Sequence, residues 1–306
     1  MTPGSMIPGA KLRALGISQK PGQGEGPDSG ERERAKMEAA GRETALLAGL
    51  LILLAPAVGS FLAVLADRLA RGEDVVRARS ACRSCGAGLG LADLVPLLSF
   101  LWLRGRCRHC GAAIPPWLFY AEILATGAAL LALLAGGGAA TVLLSCLFLW
   151  LLLSLALSDL LWLRLPDVLT GALFVLVLGW VWITPGAFGF ADGFSGLGWA
   201  LIGAGLGCGS FLALRIGYRA LRGREGLGLG DIKLMAGLGG FAGPFDLPLL
   251  VLMGALLALL GALIAGRAGG QDDAAPLRFR ALPFGTALCA AGAALWLLRA
   301  AHLLGL

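Results

Sequence analysis

The sequence is dominated by long apolar runs that contain almost no charge. The first of them, residues 45–66, has no charged residue over its whole length. A helix needs about 20 such residues to cross a hydrocarbon core of roughly 30 Å. In lipid the backbone satisfies its hydrogen bonds only in helices or in a closed barrel, and long runs rich in Leu and Ala favour helices. We therefore predict an all-α, polytopic membrane protein.

The composition supports this prediction and excludes an ordinary soluble domain. Hydrophobic residues make up 58% of the 306 residues, charged residues make up 14%, and the mean hydropathy is +0.81. Soluble domains carry about 25% charged residues. We expect membrane lipid as the surroundings and no nucleic-acid partner. Residues 1–44 differ, because they are rich in Gly, Pro and charge, and we predict that they form a disordered tail.

The apolar runs predict about eight transmembrane helices, the sixth of them short for a bilayer. The predicted spans are residues 45–66, 118–135, 140–158, 168–184, 196–214, 231–243, 247–265 and 282–304.

Arginine is unevenly distributed among the connections between these spans. It occurs in residues 67–117, 159–167, 215–230 and 266–281. The first of these connections contains eight arginines. Neither Lys nor Arg occurs in residues 136–139, 185–195 and 244–246. With eight spans the two sets fall on opposite sides, and the positive-inside rule makes the arginine-containing set cytoplasmic.

Four cysteines between the first two spans form two CxxC pairs, Cys82 with Cys85 and Cys107 with Cys110. Each pair offers two thiolates, and four thiolates complete a tetrahedral zinc site. The segment is predicted to be cytoplasmic, where disulfides are disfavoured. We predict one structural zinc ion that folds a small cytoplasmic loop domain. Replacement of one cysteine ligand by His109 is the alternative.

Two carboxylates lie at the ends of predicted spans. Asp231 follows GLGLG at the start of the sixth span and has a simple interpretation as the N-cap of that helix. Asp159 closes the third span, where the helix dipole disfavours an anion. Both lie at the predicted cytoplasmic face, and carboxylates at membrane boundaries are functional candidates by default.

Two carboxylates within a few ångströms of each other share one proton. The ionised member can take a proton from water while the protonated member donates a hydrogen bond to the scissile carbonyl. This chemistry predicts peptide hydrolysis with Asp159 and Asp231 as the catalytic residues. Gly228 and Gly230 would leave room for an extended substrate, and Lys233 is either a substrate contact or a surface cation.

Two other classes of protein remain open from the residues alone. Boundary carboxylates also bind ions or protons in transporters, although no internal repeat of the transporter kind is evident. A noncatalytic membrane scaffold with a zinc-stabilised loop is the other alternative. Both would be favoured if Asp159 and Asp231 lay far apart.

Several motifs, in one order along the chain, resemble the prepilin (type IV leader) peptidases. GLGLGD with IKL resembles their GxGD signature, and SDLLWLRLPDVLT resembles the region of their first aspartate. GSFLAVLADRLARGE, the segment with two CxxC pairs, and YAEILATG resemble the amino-terminal segment of the bifunctional members. LPFGTALCAAG resembles the late Pro-Phe-Gly motif, so the match runs from about Gly59 to Gly292.

The resemblance implies a bacterial inner-membrane aspartic endopeptidase. Such enzymes remove the short basic leader of type IV prepilins and type II secretion pseudopilins after a glycine, at the cytoplasmic face. Asp159 and Asp231 match the catalytic pair. Many members also methylate the new N-terminus with S-adenosylmethionine. We accordingly expect residues 45–135 to form a zinc-binding, methyltransferase-like segment with the first two spans, and residues 136–306 to form the peptidase domain.

The sequence departs from the family at four positions that are usually polar. Ala63 and Leu94 stand where Asn is usual, and Leu161 and Trp162 stand where Asp and His are usual. Because the aspartate pair is intact, the resemblance still implies a peptidase. The changes at positions 63 and 94 leave methylation as an open hypothesis.

Overall fold

The computed structural model describes residues 29–75, 80–223, 226–268 and 283–303. These residues form helices joined by loops, with two short 3-10 turns and no strand. The helices are α1 (Ser29–Arg71), α2 (Leu98–Trp102), α3 (Pro116–Ala135), α4 (Ala139–Trp162), α5 (Asp167–Ile183), α6 (Gly193–Arg222), α7 (Leu229–Ala268) and α8 (Phe284–Leu303). The all-α prediction is confirmed for the part of the chain that the structure describes.

Six of these helices are long and apolar enough to cross a membrane, namely α1 from Ala45 onward, α3, α4, α6, α7 and α8. The chain is therefore a multi-pass membrane protein. The count of eight spans is not confirmed. Helix α5 is apolar but shorter than the others, and the sixth and seventh predicted spans both fall within α7.

Helix α1 begins earlier than the sequence pattern indicated. It starts at Ser29 rather than near Ala45, so residues 29–44 are helical where we predicted part of a disordered tail. The physical reason is that this stretch is rich in Glu, Arg, Lys and Ala, which have high helix propensity. Residues 1–28, the rest of the predicted tail, lie outside the described residues.

Helix α7 is interrupted at Gly243, whose φ of 68° and ψ of 176° are not helical. Glycine adopts this backbone without a Cβ penalty, and Pro244 follows at the first position of the next helical stretch, where proline is tolerated. Arg299 of α8 lies at this break. Its guanidinium donates to the carbonyl oxygens of Phe241 and Ala242, at 2.8 Å each, and to Asp246 at 2.6 Å.

The two halves of α7 run in opposite directions along α8. Before the break, Leu238 lies against Gly292, and after the break Gly254 lies against Leu288. Arg299 of α8 contacts the break itself, and the α8 residues in these two contacts both lie nearer to the N-terminus of α8 than Arg299 does. The chain therefore reverses direction at the break and returns along α8.

Helix α4 forms the centre of the molecule, because 61% of its most apolar stretch is buried. Its Phe148 stacks on Phe241 of α7 at 4.4 Å between ring centroids and meets Trp180 of α5 edge-on at 5.7 Å. Helices α6 and α7 pack closely through glycine, as membrane helices often do: a Cβ added at Gly239 would lie 2.6 Å from the carbonyl oxygen of Gly203. The C-terminal end of α4 lies next to the N-terminal ends of α7 and α8, where Gly230 contacts Leu165 and Gly285 contacts Asp159.

Candidate active site and metal centre

Asp159 is buried near the C-terminal end of α4. Its Oδ2 accepts a hydrogen bond from the backbone N–H of Thr286 at 2.6 Å, and the Thr286 hydroxyl lies 3.0 Å from the same oxygen. Thr286 belongs to the first turn of α8. The positive end of α8 therefore faces Asp159 and offsets the unfavourable end of its own helix dipole.

Asp231 lies in the first turn of α7, at its third residue. It is not the N-cap that the sequence indicated, because the helix already begins at Leu229. Instead its carboxylate reaches back and accepts a hydrogen bond from the backbone N–H of Gly228. This is the reciprocal arm of a capping box, which places an acid at the third helical position and satisfies one orphan donor.

The two aspartates line one cleft of about 580 Å³. They are close enough for a direct electrostatic interaction. Gly228, Gly230 and Lys233 line the same cleft. The structure thus brings all the predicted catalytic and substrate-contact residues together. The transporter and scaffold alternatives would have been favoured by distant aspartates, which is not the arrangement found.

At three glycines of this site, neighbouring atoms occupy the space that a side chain would need. A Cβ added at Gly285 would lie 3.0 Å from Asp159 Cγ, and one at Gly228 would lie 3.3 Å from Asp231 Oδ2. A Cβ at Gly230 would lie 3.0 Å from Cβ of Leu165. These separations are tighter than ordinary contacts. Glycine at positions 228 and 285 therefore permits each carboxylate to lie against backbone.

Lys233 lies at the rim of the cleft and pairs with Asp167 at the start of α5. Its Nζ is 2.6 Å from Asp167 Oδ1, and both side chains are more than half exposed. An exposed pair of this kind contributes at most about 1 kcal/mol to stability. Lys233 is therefore available to exchange its partner for a group on a ligand.

Thr286 and Gly285 are the residues of this site that the sequence analysis did not single out. They follow Phe284 in the motif LPFGTALCAAG, which was noted only for its resemblance. The hydrogen bond between Thr286 and Asp159 joins two positions that are 127 residues apart in the chain. Local patterns in the sequence carry no signal for such a pairing, although the start of a helix directly after Pro283 indicates free N–H donors.

The four cysteines form a cluster in which all four sulfur atoms lie within 4.8 Å of one another. Sγ of Cys82 and Sγ of Cys110 are 3.9 Å apart. Tetrahedral zinc with Zn–S bonds of about 2.3 Å requires S···S distances of about 3.8 Å. The cluster therefore fits a zinc ion held by Cys82, Cys85, Cys107 and Cys110. His109 is not part of this cluster among the described residues.

The two CxxC pairs lie on turns with the same hydrogen bonds. In the first, Gly86 N–H donates to Cys82 O and Cys82 N–H donates to Ala87 O. In the second, Gly111, Cys107 and Ala112 make the corresponding bonds. Each glycine has positive φ, 71° and 70°. The segment is thus a local structural repeat that the sequence analysis did not identify.

The thiols differ in their readiness to ionise. Backbone N–H groups of Cys85 and Ser84 lower the pKa of Cys82 to about 6. At Cys110 the N–H of Ala112 favours the thiolate, but burial and hydrogen bonds with the other cysteines outweigh it and raise its pKa to about 11. Since metals bind thiolates, loading this cluster releases protons that the sulfur atoms otherwise hold.

A second cavity of about 600 Å³ lies between α1, the cysteine segment and α3. Its walls include Ser60, Phe61, Phe119 and Glu122, and Glu122 accepts a hydrogen bond from the backbone N–H of Leu97 at 2.7 Å. The volume is that of a small-molecule pocket, for which about 300–1,000 Å³ is usual.

The two departures from the family pattern near this cavity differ in position. Leu94 lines the cavity and is 45% exposed. Ala63 is fully buried in a separate apolar cluster with Ala66, Ala121 and Leu157. Ala63 is therefore packed between helices, and only Leu94 changes the chemistry of the cavity wall.

Comparison with known families matches both parts of the chain. The family described as "Bacterial Peptidase A24 N-terminal domain" matches residues 53–135, and the "Type IV leader peptidase family" matches residues 146–263. The first match contains the four cysteines and the second contains both aspartates. No solved structure matches the chain.

Curated relatives carry one common name, "Prepilin leader peptidase/N-methyltransferase". The protein of Aeromonas hydrophila is 37% identical over 225 residues, which is 71% of this chain and 71% of the relative. That of Dickeya chrysanthemi is 37% identical over 65% of this chain and 68% of its own length. That of Dichelobacter nodosus is 31% identical over 70% and 68%. The chain therefore belongs to the type IV leader peptidase family and is a peptidase.

Proposed function

We propose that Asp159 and Asp231 are the catalytic dyad of a membrane-embedded aspartic endopeptidase. The observation that carries the proposal is their meeting in one cleft at the N-terminal ends of α7 and α8. Two carboxylates that interact this closely retain one proton between them. Two positive helix ends also favour negative charge in the cleft, which helps the pair to remain partly ionised.

The reaction follows from one ionised and one protonated member of the dyad. The ionised carboxylate takes a proton from water, whose oxygen then attacks the carbonyl carbon of the scissile peptide bond. The protonated carboxyl donates a hydrogen bond to the carbonyl oxygen and transfers its proton as the tetrahedral intermediate forms. Transfer of a proton to the departing nitrogen breaks the C–N bond, which releases a carboxylic acid and a free amine.

The substrates we propose are type IV prepilins and type II secretion pseudopilins. The relatives are named for prepilin leader cleavage, and this chain shares their peptidase region. Gly228, Gly230 and Lys233 line the cleft beside the dyad, and we assign them to contact with the extended substrate. The exposed Lys233–Asp167 pair is placed to open when a substrate carboxylate or carbonyl approaches.

The distribution of arginine supports an active site at the cytoplasmic face of the bacterial inner membrane. The cysteine segment, with Arg83, Arg104, Arg106 and Arg108, joins α1 to α3. Asp159 precedes the short connection that contains Arg164, and Asp231 follows the connection that contains Arg224. The positive-inside rule assigns all three connections to one side.

Methylation of the new N-terminus is the second activity that we propose. The cavity between α1 and α3 fits S-adenosylmethionine in size, and Phe61, Phe119 and Glu122 would hold it through ring contacts and a carboxylate. When bound, this cofactor supplies an electrophilic methyl group. The protein's own residues would orient the substrate amine and keep it unprotonated for the transfer.

The zinc ion that we propose has a structural role. Four cysteines complete its coordination, so no open position is left for water or substrate. Metal binding would fold the two CxxC turns, which form one wall of the cavity between α1 and α3.

One assay tests cleavage and methylation together. Purified protein is incubated with a prepilin that has its leader, with and without S-adenosylmethionine, and the products are measured by intact mass spectrometry. We expect a single cut after a glycine in both reactions, and one added methyl group only with the cofactor. An uncut prepilin would refute the substrate assignment, and a cut but unmodified product would refute methylation.

A further inference from the structure

The proposed catalysis makes no use of Asp67, a carboxylate buried near the end of α1. Only 2% of the residue is exposed. Its Oδ2 accepts hydrogen bonds from Arg71 at 2.7 Å and from Arg83 at 2.6 Å, and its Oδ1 accepts one from Trp162 Nε1 at 3.1 Å. A buried carboxylate is costly unless it is paired, so these three donors are what stabilises it here.

The three donors come from different parts of the molecule. Arg71 is one turn away on α1, Arg83 lies inside the first CxxC turn between Cys82 and Cys85, and Trp162 is the last residue of α4. The guanidinium of Arg71 also covers the Trp162 ring at 5.6 Å, which adds a cation–π contact. Asp67 therefore connects the cysteine segment to the C-terminal end of α4 through hydrogen bonds.

The end of α4 is the element that positions Asp159. Leu163, directly after Trp162, donates its N–H to Asp159 O at 2.8 Å. Arg164 donates to Ala70 O at the end of α1, at 3.2 Å. Ala70 and Arg71 line the cleft together with the two aspartates. Trp162 and Asp159 thus lie within one helical turn of each other, beside the backbone hydrogen bond that closes the end of α4.

We propose that Asp67 is a positioning residue that couples the four-cysteine metal site to the peptidase cleft. The metal fixes the first CxxC turn and therefore Arg83; Arg83 and Asp67 fix Trp162; Trp162 fixes the turn that carries Asp159. This inference rests on the proposed function and extends it. The second CxxC turn provides an internal comparison, because Arg108 at the equivalent position pairs with Asp93 of its own segment at 2.9 Å.

The test uses the full-length protein, purified with its metal in detergent. Arg83→Gln and Trp162→Phe each remove one donor to Asp67, and the loss of one hydrogen bond predicts a fall in kcat of about three- to tenfold with KM little changed. Arg108→Gln, the matched control, is expected to keep kcat within about twofold, since it removes an ion pair outside the link.

In an Asp67→Ala background neither Arg83→Gln nor Trp162→Phe should lower kcat further. If Asp67→Ala does not fold, Asp67→Asn replaces it; because asparagine keeps the acceptor for Trp162 and loses the one for Arg83, only Arg83→Gln should then have no further effect on kcat.

A second readout is independent of cleavage. Hydrogen exchange of the peptide that covers residues 159–166 is measured before and after metal is removed with a chelator. Exchange should rise in the wild-type protein, whereas in Asp67→Ala it should be high from the start and insensitive to the chelator. Additive losses of kcat, equal effects of Arg83→Gln and Arg108→Gln, or the same chelator response in both proteins would each overturn the proposal. If the wild-type protein left prepilin uncut, the proposed function would fail while the exchange data still tested the link.

Discussion

Asp159 shows how a carboxylate can be stable at the C-terminal end of a helix, where the helix dipole disfavours negative charge. Its own helix presents carbonyl oxygens there, but the first turn of α8 supplies the N–H of Thr286 at 2.6 Å and its hydroxyl at 3.0 Å. Asp231 lies at the favourable end of α7 and uses the N–H of Gly228. Each member of the pair therefore has a backbone donor of its own, which holds the two carboxylates in place before substrate arrives.

The first prediction concerns Gly285. Alanine at this position would place a Cβ 3.0 Å from Asp159 Cγ and 3.0 Å from Leu165 Cδ1, so the carboxylate must shift. We expect kcat for leader cleavage to fall about tenfold or more, since misplacement of a reacting group by about 1 Å can cost a hundredfold. Gly127→Ala, at a glycine of α3 with open space around it, is the control and should leave kcat unchanged. A Gly285→Ala enzyme with wild-type kcat would contradict this account.

The second prediction separates the two donors of Thr286. Thr286→Val keeps the backbone N–H and removes the hydroxyl, which lies 3.0 Å from both Asp159 Oδ2 and Ala156 O. The end of α4 then loses about 1 kcal/mol of support, and kcat falls about five- to tenfold. Thr286→Ser keeps the hydroxyl and should remain within about twofold of the wild type. Steady-state kinetics on a prepilin peptide measures both. Equal rates for the Val and Ser variants would show that the hydroxyl has no role.

Much of the site could be predicted at the residue scale, because the residues that do chemistry have distinctive types and spacings. Two CxxC pairs and an acid after GLGLG are unusual in so apolar a chain. Thr286 and Asp67 could not be predicted in this way, because their roles depend on contacts across the fold. The N-cap interpretation of Asp231 places the start of α7 three residues too late, because sequence patterns locate helix ends only to within about two to four residues.

Among the elements, α7 departs most from its pattern. Two helical stretches, residues 229–242 and 244–268, meet at Gly243, whose backbone is not helical, and the chain changes direction there. The sequence placed a connection at residues 244–246, because Pro244 and Asp246 interrupt the apolar run. The structure shows that no loop is needed, since one glycine with positive φ and the guanidinium of Arg299 complete the reversal. Arg299 satisfies carbonyl oxygens that the first half of α7 leaves without partners.

The third prediction tests this reversal. Gly243→Ala forces a side chain into a backbone with φ of 68°, which costs about 1–2 kcal/mol. We expect the midpoint of thermal unfolding to fall by a few degrees. Gly261→Ala, at a helical glycine of α7 with nothing within 4 Å, is the matched control and should hold or raise the midpoint. A fall of the same size in both variants would contradict the special role of Gly243.

Across the whole molecule, the proposed active site and the cavity beside the cysteines both lie at the end of α1. The cysteine segment follows this helix, and Arg71 lines both the dyad cleft and the cavity beside the cysteines. The resemblance predicted a division into residues 45–135 and 136–306, and the two family models match residues 53–135 and 146–263. It could not predict that the two parts meet at Asp67, because that contact depends on how α1 and α4 pack.

The fourth prediction concerns metal content. Freshly purified protein should contain one zinc ion per chain, because four sulfur atoms within 4.8 Å form one site. The combined variant Cys82→Ser, Cys85→Ser, Cys107→Ser and Cys110→Ser should contain none. Cys208→Ser, outside the cluster, should keep the metal. Elemental analysis of the three proteins decides the question, and zinc in the combined variant would refute the assignment.

We propose above that Asp159 and Asp231 perform the hydrolysis together. The most direct measurement is the rate of prepilin cleavage by Asp159→Asn and Asp231→Asn, each with its thermal unfolding recorded. Asp192→Asn is the matched control, because Asp192 caps α6 by accepting from Ser195 N–H at 2.7 Å and asparagine caps equally well. We expect both dyad variants to fold and to lose cleavage, while the control cleaves like the wild type. Cleavage at the wild-type rate by either folded dyad variant would refute the assignment of the pair.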